Sequence, residues 1–526
     1  VKKLPFFPLA IFILTFSSCK LEPNWDVDAL APIAETTLTP GNIFRDTNLI
    51  VQPGGDLVLD YEARVFEFPV DSILKIPDST YTYNFVSPFT LFLDPGTSLP
   101  VYNNYLLFNL PDIGLREALL RGGQLRVKVI STLTQPSIIN FKIPKASKAG
   151  VPFDFTDNVP AAAAGGTAEY IRDFDISWYN IDFSGDNNDQ YNKLRLQIFA
   201  SLPLDAQSFQ VPAGQELIRT EISFVEAQPY FARGKINTRS INIAADTVKL
   251  PFFDLIQSGT LDIEAANLDL TVNNGFGVDA RAVFGSITGV NTRTGNTVAL
   301  NHPILGNDIN LNAAQLSPSG DLPFTASNYV LNVSTNNSNL EPFATNFPNK
   351  ISINGNFTIN PLGNLSSGND FVFYNAAAAV NMHLTAPLTF SANNLVLSDT
   401  VSFNGSSLSK NNPVKKGSLK IYAENMFPFE LELRLQTVDS LGNILGTPAN
   451  GQLIAAGIAE SDGRVYQPVS SIINVELSET DMLNLKSAKG VIFQVRFHSL
   501  PAGQLMKIYH DYRVHLKAVA LVTAGI

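Results

Sequence analysis

Apolar and polar positions alternate along most of this chain with the two-residue period of a half-buried strand. Leu57 to Phe68 reads LVLDYEARVFEF, and Thr80 to Val86 and Phe89 to Leu93 continue in the same β-branched and aromatic style. Asn-Gly pairs stand at Asn274-Gly275, Asn354-Gly355, Asn404-Gly405 and Asn450-Gly451. Both residues accept positive φ, so these pairs predict tight hairpins. Asp94-Pro95-Gly96 predicts another turn.

Helical spacing is rare. Ser478-Glu479-Thr480-Asp481 has the form of a capping box, with Met482, Leu483 and Leu485 behind it and Gly490 as a stop. Pro111 to Leu120 (PDIGLREALL), ending at Gly122-Gly123, predicts a second short helix. Strand, short helix, glycine and strand thus follow one another near both ends, which suggests a duplicated unit.

A second internal echo is sharper. Leu268 to Val278 (LDLTVNNGFGV) lies on Leu419 to Phe429 (LKIYAENMFPF) with the same spacing from Leu to Asn to Phe. The central residues are Asn274 with Phe276, and Asn425 with Phe427. In both, a strand meets an Asn-centred break and a second alternating strand follows. The Asn is placed to bond nearby backbone while the chain crosses between sheets. This arrangement resembles the β-sandwich of water-stress (late-embryogenesis-abundant) domains, over about 30 residues per copy.

A wider set of features resembles uncharacterised lipoproteins of the Bacteroidota. They are Trp25 to Pro32 (WDVDALAP), Tyr230 to Gly234 (YFARG), Asp246-Thr247-Val248, Phe252-Phe253, Ser258-Gly259 and Asn273-Asn274. That resemblance implies export and carries no activity with it. The beginning of the chain agrees. Lys2 and Lys3 precede an apolar run from Leu4 to Phe16, too short to span a bilayer. Phe16-Ser17-Ser18-Cys19 then resembles a lipobox, which implies cleavage before Cys19 and a diacylglyceryl group on its sulfur. A diacylglyceryl group with an added acyl chain would give a stable membrane anchor. Lys20-Leu21-Glu22 with Asp26 and Asp28 partly matches the acidic tag that sends such lipoproteins to the cell surface.

Composition narrows the function classes. Hydrophobic residues make up 45% of 526, enough for large cores and unlike a disordered stalk. A net charge of −11 without a basic block argues against nucleic acid. Cys19 is the single cysteine, so no intrachain disulfide forms, and once lipidated it is no nucleophile. No HExxH, GxSxG or P-loop is present. His510 and His515, five apart, would face opposite sides of a strand and share no metal. Paired carboxylates of a hydrolase converge in space rather than in order, so that reading stays open. The chain has 36 Phe against 2 Trp and 15 Tyr, which favours core packing over an aromatic sugar platform.

Two further site readings come from short patterns. Asp182, Ser184, Asp186 and Asn188 copy the first ligand spacings of a calcium loop, but Asn187 and Lys193 stand where its glycine and closing glutamate belong. A polar hairpin loop is therefore preferred to calcium. Asp, then Ser or Thr, then an apolar residue or Thr, at Ser72, Ser79, Thr247, Thr400 and Ser440 resembles the O-glycosylation sequon of Bacteroidota envelope proteins. Ordinary turn chemistry explains the same pairs.

These readings predict an all-β protein of several sandwich-like modules in series, with few short helices, on an N-terminal lipid tether. The expected division is a signal peptide at 1–18, a tether at 19–45, a β domain at 46–160, a sandwich at 161–305, a β-rich segment at 306–410 and a sandwich at 411–526. The expected role is non-catalytic and structural or adhesive at the outer membrane, with surface display favoured over the periplasmic face. Its partner would be an envelope protein or a glycan, with no cofactor required. A glycan- or lipid-binding lipoprotein and a hydrolase with loop-borne carboxylates are the alternatives.

Overall fold

The computed structural model describes residues 26–44, 46–70, 75–317, 323–405 and 414–525. The all-β expectation holds: among the described residues the α-helices are Gly41–Phe44, Leu340–Thr345 and Glu479–Ser487, all short. Among the described residues most strands form two sandwiches and one large sheet, and two short strand pairs stand apart, Leu91–Leu93 with Phe209–Val211 and Gln315–Leu316 with Phe324–Thr325.

The outer sandwich has one sheet in the spatial order Asp26–Leu38, Val514–Gly525, Val414–Asn425, Val469–Leu477. Its second sheet runs Thr389–Ser402, Gly490–His498, Glu430–Val438, Ile444–Ile454. Alternate residues fill the space between, including Leu419, Ile421, Leu431, Leu433, Phe493 and Phe497, all fully buried. The inner sandwich repeats the plan. One sheet runs Leu57–Pro69, Ala377–Pro387, Asn267–Asn274, Ser327–Ser334, and the other Arg239–Lys249, Lys350–Ile359, Ala280–Val290, Thr297–Ala299. Ranked by chain order within each unit, both give first-eighth-third-sixth and second-seventh-fourth-fifth. A short helix precedes the seventh strand in each.

The units are nested rather than consecutive. The whole inner sandwich lies between the first and second strands of the outer one. Between the inner sandwich's own first and second strands lie nine of the ten strands of a large antiparallel sheet, centred on Ile113–Ser131 and Glu216–Ile236. The four expected segments from 46–160 to 411–526 therefore cut across the sheets. Residues 161–305, for example, supply Glu216–Ile236 to the large sheet and Ala280–Val290 to the inner sandwich. Part of the expected tether, Asp26–Leu38, is a strand paired with Val514–Gly525.

The Asn echo marks the crossing between sheets in both sandwiches. Asn274 Nδ2 donates to the carbonyls of Val278 (2.8 Å) and Asn312 (2.9 Å), and its Oδ1 accepts from Phe276 N–H at 3.1 Å. Asn425 Nδ2 donates to Phe429 (2.9 Å) and Ala455 (2.9 Å), and its Oδ1 accepts from Phe427 N–H at 2.9 Å. Both carboxamides are fully buried. Phe427, held beside its Asn, packs edge-on against Phe497 (5.4 Å) and Tyr512 (5.9 Å). Burial pushes the Tyr512 hydroxyl up to about 12.

Local expectations fared unevenly. Ser478 caps Glu479–Ser487 with a complete capping box. Pro111 to Leu120, expected as a helix, instead enters the strand Ile113–Ser131, and the expected strand-helix repeat at that end disappears with it. Arg116 is an unpaired bulge residue: Leu115 faces Gly234 and Glu117 faces Arg233. The bulge moves the next buried position from Leu115 to Ala118, and that three-residue step imitates a helix. The Asn-Gly pairs are not hairpin tips. Asn354-Gly355 and Asn450-Gly451 lie inside strands, Asn274-Gly275 lies at a sheet crossing, and Asn404-Gly405 follows a strand end. At Gly355 the reason is room, since a Cβ would come within 2.3 Å of the Val283 carbonyl oxygen. Asp94-Pro95-Gly96 does turn, with Thr97 N–H bonded to the Asp94 carbonyl at 3.0 Å.

Asn274→Ala and Asn425→Ala each strand three buried backbone groups, and each is expected to cost about 3 kcal/mol in urea unfolding. Losses below about 1 kcal/mol at either site would mean that the crossings stand without the carboxamide.

Candidate functional site

The large sheet meets the inner sandwich where the inner unit lends it a strand. Asp370–Phe373 adds to the edge of Glu216–Ile236. The buried Asp370 carboxylate accepts Ile236 N–H at 3.0 Å, and burial pushes its carboxyl above the ordinary carboxylate range. Phe373 packs against Phe231 (4.9 Å) and stacks on Phe324 (5.5 Å).

Beside this junction the ladder between Ile113–Ser131 and Glu216–Ile236 breaks. Register shifts fall between Val225 and Gln228, between Gln228 and Pro229, and between Pro229 and Phe231. Glu226 takes a positive φ of 51°, and its N–H donates to Asp78 Oδ1 at 2.8 Å. Opposite stands Gly123, with φ 130°, where a Cβ would lie 2.8 Å from Ala227 Cα. Gly122-Gly123, read from sequence as a helix stop, is thus the place where two strands close on a bulge.

The bulge opens a cleft of about 830 Å³, within the size range of ligand pockets. Lys75, Asp78, Arg121, Glu226, Gln228 and Tyr374 are among its lining residues. A row of rings leads away from it. Tyr374 lies 5.4 Å from Tyr230, and Tyr230 lies 5.7 Å from Trp178. The Arg121 guanidinium sits 4.8 Å over the Tyr374 ring. Trp178 is 51% and Tyr374 42% exposed, so these rings are presented rather than packed away. A shallower hollow of about 410 Å³ at Asn242, Asn354 and Asn356 has no aromatic or charged lining residue.

Trp178 is held outward by its backbone. Its φ is 66°, a left-handed value costly for a bulky residue. Trp178 N–H donates to the Leu120 carbonyl at 2.7 Å, and Leu120 N–H donates to Tyr179 at 3.0 Å. Asp175 braces the same turn by accepting Ser177 N–H at 2.9 Å, and the Ser177 hydrogen bonds hold its carboxyl below the ordinary range.

Sequence reasoning missed Trp178, Tyr230, Tyr374 and Arg121 as a group. The signal available was Ser177-Trp178-Tyr179, large rings in a segment without strand alternation. The abundance of Phe pointed towards packing, and most Phe residues do pack.

The loop of Asp182, Ser184, Asp186 and Asn188, read from sequence as a polar loop in preference to a calcium site, holds an internal cation. Lys145 Nζ lies 3.1 Å from Asp182 Oδ2 and donates to Asn188 Oδ1 and the Gly185 carbonyl. Asp182 Oδ1 accepts Ser184 N–H at 2.7 Å. Asp186 turns instead to Arg195, 3.3 Å away. The ammonium thus gathers three oxygens of the loop. Lys145→Met is expected to cost about 1 kcal/mol, since the pair is partly solvent-screened. Millimolar calcium should leave the melting temperature of the unaltered protein unchanged, and a rise would restore the calcium reading.

Cys19 and Ser72 lie outside the described residues. Of the other sequon residues, Thr247, Thr400 and Ser440 are exposed. Ser79 is half-buried and donates to the Pro77 carbonyl at 3.0 Å. Thr247 and Thr400 sit within paired strands, opposite Ser352 and Ile492, whereas Ser440 lies in a turn braced by Asp439. His510 and His515 point to separate partners, the Gly55 carbonyl and Glu35.

No family model and no curated protein matches this chain. Among solved structures, a candidate secreted protein from Parabacteroides distasonis aligns at 15% identity over 55% of this chain and 88% of its own, with a TM-score of 0.28. The VP2 subviral particle of infectious bursal disease virus aligns at 10% identity over 87% of this chain and 84% of its own, with a TM-score of 0.11. The Gx strain of that virus gives 10% identity, 93% and 90% coverage, and a TM-score of 0.14. Likenesses this slight carry no argument about this chain.

Gly123→Ala is expected to cost about 2 kcal/mol in urea unfolding, because the new methyl group meets backbone rather than a movable side chain. A loss near zero would show the bulge to be slack and the cleft not fixed by it.

Proposed function

We propose that this protein is a lipid-anchored protein of the bacterial outer membrane that works by binding and not by catalysis. Its ligand sits in the cleft between the bulge at Glu226 to Tyr230 and the turn after Asp370–Phe373. The observation that carries this reading is the row of exposed Trp178, half-buried Tyr230 and exposed Tyr374 leading into a cleft with charged and amide groups. Such a combination of apolar faces and a few convergent polar groups is the usual make-up of a ligand site.

The anchor in this proposal is Cys19, with its lipobox-like context. Six residues separate it from the strand beginning at Asp26, which reach at most about 20 Å. The outer sandwich would then lie nearest the bilayer. Surface display follows from the acidic residues after Cys19.

The cleft also carries two carboxylates, Asp78 and Glu226, which keep a hydrolase as the second reading. Asp78 already serves as a brace for the Glu226 backbone, so binding is preferred.

Two measurements test the proposal. Cys19→Ala should move the protein from the membrane fraction to the soluble fraction. Trypsin treatment of intact cells should remove a tag placed after Ile526. Membrane retention of the variant would end the anchor, and full protection of the tag until the outer membrane is breached would place the protein on the periplasmic side.

A further inference from the structure

We propose that the ligand of this cleft is a glycan, bound along the Trp178–Tyr230–Tyr374 row as a short oligosaccharide stretch. This rests on the binding reading above. Three observations select sugar among ligand classes.

The first is the row itself. Successive ring centroids are 5.7 Å and 5.4 Å apart with planes tilted by 54° and 36°, so the row is a stepped surface longer than one ring that ends at the cleft-lining Tyr374. Ring faces attract the C–H faces of pyranoses, while tyrosine hydroxyls and indole N–H reach their edges. Neither Tyr230 nor Tyr374 has a hydrogen-bond partner for its hydroxyl among the described residues, so both remain available to a ligand.

The second is the polar complement. Arg121 and Lys75 have no carboxylate partner among the described residues, and Glu226 and Gln228 are exposed beside them. Donors and acceptors are thus mixed. Two cations facing two carboxylates do not make the one-sign field that nucleic acid needs. An acyl chain would want a groove lined mainly by aliphatic side chains, and here the charged and amide groups stand inside.

The third is the backbone at Trp178. A tryptophan at φ 66° occupies a position that Gly or Asn would fill with less strain. The strain is held by the bonds to Leu120 and serves no core, because the ring is half exposed. Retained strain with a displayed ring points to a contact outside the protein.

The test uses the full lipidated chain in detergent, run through native gels cast with soluble amylopectin, xylan, galactomannan, alginate or mucin. At least one is expected to retard it. Trp178→Asn keeps the left-handed backbone, and with Tyr374→Ala it should weaken that retardation at least tenfold while the melting temperature holds. Retardation by none of them, or retardation that both variants keep, overturns the glycan proposal. A photocrosslinking residue in place of Gln228, used in living cells, separates the two levels. Crosslinking to a protein would replace the glycan and leave the cleft a binding site. No adduct and no retardation would remove the binding reading as well. Release of reducing ends from a retarding polysaccharide, lost in Glu226→Gln, would make the site hydrolytic and overturn the non-catalytic reading.

Discussion

A strand that leaves one sheet to join the opposite one must pass through the core, where its backbone has left one ladder and not yet entered the next. In both sandwiches one carboxamide fills that gap. Asn274 and Asn425 each bond two carbonyls and one N–H from within the core, and so complete the backbone hydrogen bonding that the crossing interrupts. Aspartate would bring a charge and no donor, and serine is too short to span two carbonyls. The phenylalanine two residues on is thereby aimed into the core, so the polar pin and the packing are one device. The rest of each sandwich is arranged around this crossing, since it joins the third strand of one sheet to the fourth of the other.

That device was legible because it is local. Leu, Asn and Phe at fixed spacing are all within eleven residues, and the sequence shows them twice. The capping box at Ser478 was legible for the same reason. Pairing partners were not. Alternation states that a strand has one buried face, and says nothing of which neighbour lies across the ladder. Asp26–Leu38 looks the same in sequence whether it is a tether or a partner of Val514–Gly525. Nesting is invisible to any reading that moves along the chain in segments. The errors at Arg116 and at the Asn-Gly pairs have separate local causes: one residue out of register alters the apparent period, and glycine serves close approach as readily as it serves a turn.

The calcium-like loop and the ring row are both assembled from segments distant in the chain. Of the four residues at calcium spacing, Asp182 and Asn188 gather around one positive charge, while Asp186 turns to Arg195. The charge is Lys145, brought from a strand nearly forty residues earlier, and no spacing rule within the loop contains it. The ring row is assembled the same way. Trp178 comes from a turn, Tyr230 from a long strand, and Tyr374 from the segment that the inner sandwich lends to the large sheet. Composition spoke about Phe, which is a statement about cores, and a platform needs only one tryptophan in the right backbone.

Nesting explains why the platform can be held. A module joined to its neighbour by one linker is free to pivot, and a site shared between the two would loosen with every such motion. Here the large sheet leaves and re-enters the inner sandwich through two adjacent connections, after Leu57–Pro69 and before Arg239–Lys249, and a third contact comes from the lent strand. Two covalent connections and a hydrogen-bonded strand oppose rotation about any one axis. Asp370 fastens the start of the lent strand to Ile236, and Phe371 and Phe373 fill the seam, so Tyr374 is fixed relative to Tyr230 although the two belong to different units. The strained turn at Trp178 is tied to the strand that carries Gly123, which faces the bulge across the ladder. The insertion between two sandwich strands is thus braced where it joins the body, and a braced junction is the natural place for a preorganised site.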